Sequence, residues 1–145
     1  MKCKEYYDIN LNKTITGVIK QLSRKEDEML APYNLTHSHA RYIENVYRFK
    51  TVTMADLTEL SGTDKANTTR VIKELLNKNI VEKFGGERKF KLSLTLKGKQ
   101  IAEHFKNQKE KFMRSVFKNF STAEMSTLKA LLEKLFIGTS CALKG

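Results

Sequence analysis

One short stretch concentrates side chains that suit base edges and the phosphates around them: Asp64-Lys65-Ala66-Asn67-Thr68-Thr69-Arg70. An asparagine amide pairs bidentately with adenine, so Asn67 is a candidate base reader; Arg70 suits guanine or a phosphate. Thr68 and Thr69 offer hydroxyls to phosphates and methyl groups to thymine, and Ala66 permits close approach. Lys65 and Lys73 are placed to contact phosphates, which position a helix without reading sequence. Thr63, just before the stretch, is the expected helix cap and joins the candidate contacts. A solvated helix face behind a good cap is the plainer reading, and it stays open on these residues alone.

A second basic group follows. Arg88, Lys89 and Lys91 flank or follow the turn signal Gly85-Gly86. An arginine at a hairpin tip can enter a minor groove, where narrow A-tracts concentrate negative potential. Lysines also protect an edge hairpin from aggregation, and the two roles are compatible.

Other chemistry-bearing residues point nowhere definite. His37 and His39 are two apart, so on a helix they face different directions and do not form a metal pair. Packing and capping are the expected roles, and neither metal nor cofactor is expected. Cys3 and Cys141 lie near opposite ends and cannot make a disulfide framework, which fits a reducing compartment. There is no glycine-rich phosphate loop, paired-carboxylate arrangement or Ser/His/Asp context, so an enzymatic reading has no residues to carry it.

The elements that must hold the basic groups follow from periodicity and caps. Ile15, Val18, Ile19 and Leu22 recur at helical spacing in a first helix over about 6–29, which ends before Ala31-Pro32. Thr36 caps a second helix through about Phe49, with Ile43, Val46 and Tyr47 as its stripe. Thr53 and Asp56 form a capping box for a short third helix closed by Ser61-Gly62. The fourth, after Thr63, carries Val71, Ile72, Leu75 and Leu76 and stops at Asn79, a residue that tolerates the left-handed conformation. A strand over 80–84, the Gly-Gly turn and an alternating strand over 88–94 make a β-hairpin. Thr95 caps a long helix to about Asn119 with Ile101, Phe105, Phe112, Val116 and Phe120 on one face. Ser121 and Glu124 open a last helix bearing Met125, Leu128, Leu131, Leu132, Leu135 and Phe136. The fold class is therefore mainly α with a small β-hairpin wing: a winged helix-turn-helix plus a helical lobe. The terminal helices are apolar on faces the middle cannot cover, so a second copy is the simplest way to bury them, an intrachain bundle being the alternative.

Composition agrees. The chain has 145 residues, 40% hydrophobic, and a formal net charge of +11. Residues 88–118 hold ten basic side chains against two acidic ones, whereas residues 1–30 hold six against five. Such a field favours polyanions, a nucleic acid or an anionic membrane surface. No apolar run approaches the ~20 residues that cross a bilayer, and the first residues lack a signal-peptide core, so a soluble cytoplasmic protein is expected.

In order and length of elements the sequence resembles the MarR family of bacterial and archaeal regulators. Leu35-Thr36 with His39, Asp64 to Val81, and Arg88 with Leu94-Thr95 and Gly98 carry the resemblance. Asn79 stands where glycine is usual, and Gly86 replaces the wing aspartate, with Glu87 adjacent as a substitute brace for Arg88. The resemblance implies one unit over 1–145. Its winged helix-turn-helix lobe, 34–97, would bind double-stranded DNA, and 1–33 with 98–145 would form the dimerisation lobe of a homodimer. It further implies a repressor released by a small, often phenolic effector held between the lobes, with His37, Arg41 and Tyr42 as candidate lining groups. Tyr6, Tyr7, Tyr33 and Tyr47 are further aromatic candidates, although core or interface packing explains them equally. A cysteine near the N-terminus, such as Cys3, senses oxidants in some relatives; redox sensing by Cys3 or Cys141 would need a depressed thiol pKa. Two other classes remain: a winged-helix protein-interaction module whose lysines serve solubility, and a small-molecule or redox sensor with secondary DNA binding.

Overall fold

The structure is a computed structural model, and it describes residues 9–145. Cys3, Tyr6, Tyr7 and the expected helix start near residue 6 lie outside the described residues. The element order is α1 (Ile9–Leu30), a 3-10 turn (Ala31–Tyr33), α2 (His37–Phe49), α3 (Met54–Ser61), α4 (Lys65–Asn77), β1 (Val81–Gly85), β2 (Phe90–Leu94), α5 (Leu96–Phe117) and α6 (Thr122–Lys144). One compact unit runs through Lys109, and a second spans Glu110–Gly145.

In the first unit, local chemistry sets most boundaries. Pro32 sits in the first turn of the 3-10 helix, where its missing N–H costs nothing, and Asn34 closes that turn in the left-handed region. α3 has the expected capping box: Asp56 N–H donates to Thr53 Oγ1, and Thr53 N–H donates to Asp56. Gly62, at φ +63, ends it. Asn79 takes φ +58 after α4 and turns the chain into β1.

α4 corrects one expectation. Its cap is Asp64, whose carboxylate accepts the Asn67 N–H at 2.7 Å, and not Thr63. The reason is tertiary: the Thr63 hydroxyl lies 2.6 Å from the Tyr42 hydroxyl of α2.

β1 and β2 pair antiparallel from Val81↔Leu94 to Gly85↔Phe90, and Val52 bridges Leu92 beyond β2. The loop is therefore four residues, 86–89, so Arg88 and Lys89 occupy the hairpin tip rather than the second strand. Leu92 and Leu94 point into the core between exposed or half-exposed neighbours.

The core is built by α2, α4, the hairpin base and the start of α5. Tyr42, Ile43, Val46, Leu57, Val71, Ile72, Leu75, Ile80, Leu92, Ile101 and Phe105 are all essentially inaccessible. Thr95 fastens α5 to the end of α4. Its hydroxyl donates to the Asn79 carbonyl at 2.7 Å and accepts the Gly98 N–H at 3.0 Å. Lys109 ties α5 to α1 and α2 through Glu26 (3.0 Å) and Glu44 (2.8 Å). Burial pulls its ammonium pKa down, but the two carboxylates more than offset this and leave it raised.

In the second unit, Ser121 and Glu124 form the expected capping box, and Phe117 packs edge-on against Phe120. α6 buries none of its residues: Leu131, Leu132, Leu135, Phe136 and Ile137 are all exposed. Val18 and Ile19 of α1 are exposed as well. Among the described residues, the expected stripes of α1 and α6 are thus partly or wholly exposed, whereas Ile101 and Phe105 of the α5 stripe are buried.

Candidate nucleic-acid interface

α3, the Gly62 turn and α4 form a helix-turn-helix, and α4 divides as its sequence suggests. Lys65, Ala66, Thr69, Arg70 and Lys73 are exposed, whereas Val71, Ile72 and Leu75 are buried. Burying the apolar half anchors the helix and leaves its polar first turns free for a partner.

Two residues of the expected set behave differently. Thr68 is fully buried, its hydroxyl donates to the Asp64 carbonyl at 3.1 Å, and it lies 3.3 Å from the Tyr42 hydroxyl. Thr68 therefore does not reach a phosphate or a thymine methyl, contrary to expectation, and instead seats α4 on α2. Asn67 is half-buried. Its Oδ1 accepts from Arg70 Nη2 at 2.9 Å, and its Nδ2 donates to the Tyr42 hydroxyl at 3.2 Å.

Arg70 also donates through Nη1 to Glu74 Oε1 at 2.7 Å. The other oxygen, Glu74 Oε2, lies 2.6 Å from His39 Nε2. His39 Nδ1 accepts the Thr36 N–H at 3.1 Å, so the ring proton sits on Nε2 and donates to Glu74. His39 thereby completes the cap of α2 and reaches α4 at once. The hydrogen bond from His39 holds the Glu74 carboxyl below its usual pKa; burial opposes the shift and Arg70 adds to it. Glu74 carried no sequence signal beyond its i,i+4 spacing from Arg70.

At the wing, Arg88 and Lys89 are exposed. Among the described residues Arg88 has no ion pair, Glu87 included, so the expected substitute brace does not form. Lys83 sits 4.4 Å from the centre of the Phe90 ring and stiffens the hairpin.

The three candidate effector residues engage different elements. His37 binds Asp27 of α1 through its N–H (2.7 Å) and Nδ1 (2.9 Å). Arg41 donates to the Ser61 carbonyl at 2.6 Å. Tyr42 is buried against α4. A cavity of about 910 Å³ is lined by other residues, among them Glu44, Tyr47, Arg48, Lys50, Glu82, Lys99, Ala102 and Lys106. At its rim Lys50 takes φ +67 and ψ −52, closed by a 2.8 Å bond from Thr51 N–H to the Phe49 carbonyl. That strained γ-turn ends α2. Among the described residues no group of three or more His, Cys, Asp or Glu could hold a metal ion, and no helix is long and apolar enough to cross a membrane. Cys141 is exposed and unpaired.

Comparison with known proteins fits this geometry. A family model described as MarR family matches residues 33–88. The HTH-type transcriptional regulator BilQ of Clostridioides difficile (strain CD3) is 28% identical over 122 residues, which are 82% of this chain and 82% of that protein. A mutant MarR from E. coli complexed with operator DNA superposes with a TM-score of 0.77 at 24% identity, over 88% of this chain and 94% of that one. A MarR transcriptional regulator from Methanosarcina mazei Go1 gives 0.78 at 20% identity, over 91% and 90%. At these identities the two crystal structures establish the fold.

Proposed function

We propose that the chain is a transcriptional regulator of the MarR family, as the family model over residues 33–88 and the likeness to BilQ support, and that it binds double-stranded DNA as a homodimer, with α4 in the major groove and the wing beside it. The observation that carries this is the exposed polar half of α4, with Lys65, Ala66, Thr69, Arg70 and Lys73 at the surface of a helix whose other half is buried. A helix-turn-helix presents the N-terminal residues of its second helix in this way. Likeness to a MarR solved with operator DNA supports the same reading.

The contacts we assign are Lys65, Ala66, Thr69, Arg70 and Lys73 on α4, Thr63 before it, and Arg88 and Lys89 at the wing tip, with Asn67 behind Arg70 as its hydrogen-bond partner. The winged lobe spans 34–97. The uncovered stripes on α1 and α6 support a dimerisation lobe of 1–33 and 98–145, because large contiguous apolar faces mark association sites. A two-fold dimer presents its recognition helices about one helical turn apart, so the site is a pseudo-palindrome. The protein acts in the cytoplasm as a regulator and not as an enzyme. We further propose repression relieved by a small effector, phenolic acids being the first to screen. Such a ligand acts only by favouring one spacing of the two recognition helices.

Titration of the full chain against duplex DNA at increasing salt tests the reading. Expected are a steep fall of affinity with salt and a clear preference for selected over random duplex. Salt-independent affinity with no preference would sink it. Phenolic acids should weaken binding to the selected site; if none shifts it, the effector component fails alone.

A further inference from the structure

We propose that Glu74 is a positioning residue that aims the Arg70 guanidinium at the DNA, and that Arg70, not Asn67, reads the base at this end of α4. The proposal rests on the DNA reading above. It is carried by a continuous hydrogen-bonded chain: Thr36 N–H to His39 Nδ1, His39 Nε2 to Glu74 Oε2, Arg70 Nη1 to Glu74 Oε1, Arg70 Nη2 to Asn67 Oδ1, and Asn67 Nδ2 to the Tyr42 hydroxyl.

Both ends of that chain are fixed on α2. His39 and Tyr42 are buried there, so the brace is anchored outside the helix that carries Arg70. Arginine has five N–H donors, and two are used inwardly, which leaves three for a base edge or phosphate. An unbraced arginine gives up its rotamer freedom on binding, and a braced one has already lost it. Asn67 stands differently. Reading adenine needs both its amide oxygen and its amide nitrogen, and each is turned to a partner within the protein.

Glu74 suits the role because a carboxylate offers separate acceptor oxygens to two donors. A glutamine has the same shape and one acceptor oxygen, so its amide nitrogen would face the N–H of either His39 or Arg70. The carboxylate also repels DNA phosphates. A brace should therefore act in opposite directions on specific and non-specific binding, which a merely structural residue would not do.

The test uses the full chain. Bound sequences are selected from a randomised duplex pool. Wild type, Arg70→Ala, Glu74→Ala, Glu74→Gln, Asn67→Ala and the Arg70→Ala/Glu74→Ala double variant are then titrated against three ligands. These are the selected site, the same site altered at each base pair, and random duplex; thermal melts confirm folding. Arg70→Ala and both Glu74 variants should lose discrimination at the same base pair, roughly tenfold. The double variant should be no worse there than Arg70→Ala. The Glu74 variants should hold or gain affinity for random duplex, and Asn67→Ala should relax no base pair of its own. Wild-type discrimination in a folded Glu74→Gln would overturn the proposal, as would an equal loss on every duplex or a separate base pair relaxed by Asn67→Ala. A wild type without preference over random duplex would overturn the DNA reading as well, so the two failures are distinguishable.

Discussion

Gly98 packs its α-carbon directly onto the carbonyl of Ile80: a Cβ built there would lie inside the contact distance of that oxygen and its carbon. The Gly98 N–H is at the same time held by Thr95 Oγ1, whose hydroxyl also reaches the carbonyls of Asn79 and Ile80. The start of α5 is thus pressed against the chain leaving α4, and neither side can yield without breaking this bond set. Gly98→Ala should cost about 2–3 kcal/mol, the upper range for overpacking a rigid site. Urea unfolding of the variant checks this, and an unchanged midpoint would refute the packing argument.

Tyr42 ties α2 to the helix-turn-helix through one hydroxyl, which approaches Thr63, Thr68 and Asn67. Tyr42→Phe leaves those groups short of a partner and should cost about 1–2 kcal/mol in an unfolding titration. DNA affinity should keep its wild-type salt slope, since no phosphate contact is lost. A changed slope would mean that Tyr42 does more than support α4.

Asp27 governs an acid limb of stability. The His37 N–H holds its carboxyl below the ordinary value of 3.8; burial opposes this, and the His37 ring adds to the lowering. A depressed carboxylate contributes stability that is present above the unfolded pKa and lost as pH falls through the folded one. Melting temperature should therefore drop below about pH 4, with Glu74 adding to the same limb from its own ordinary value of 4.5. In Asp27→Asn the drop should be shallower and the neutral-pH melting point lower. The side chain is 44% exposed, so solvent screening keeps the effect small.

Charge removal on the DNA face should be additive and non-selective. Lys65→Ala, Lys73→Ala and Lys89→Ala should each reduce the slope of log affinity against log salt by about 0.9 where the side chain meets a phosphate. Site preference should stay unchanged in all three. Arg88→Ala should reduce affinity more for A-tract flanks than for mixed flanks if the tip enters a narrow minor groove. Equal losses on both flanks would assign it to the backbone instead.

Features set by neighbours three or four residues apart were legible in the sequence. The capping boxes of Thr53 with Asp56 and Ser121 with Glu124 are such features, as are the left-handed stop at Asn79 and the alternation of the second wing strand. Their partners are supplied by the same few residues, so composition and spacing suffice. The apolar stripes of the terminal helices were legible for the same reason.

Contacts spanning twenty or more residues were not legible. Whether Thr63 or Asp64 caps α4 cannot be decided locally, since both are good caps; Tyr42, twenty-one residues earlier, takes the Thr63 hydroxyl and leaves the cap to Asp64. Thr68 looked like an outward polar residue until the same Tyr42 closed over it. Glu74 looked like one more surface charge, and His39, thirty-five residues away, makes it the hub of the recognition helix. From the sequence alone come the helix-turn-helix, the wing and the basic side chains on them. Which of those side chains remain free to meet a partner is decided in the tertiary structure, because burial and hydrogen-bond partners depend on which helices meet.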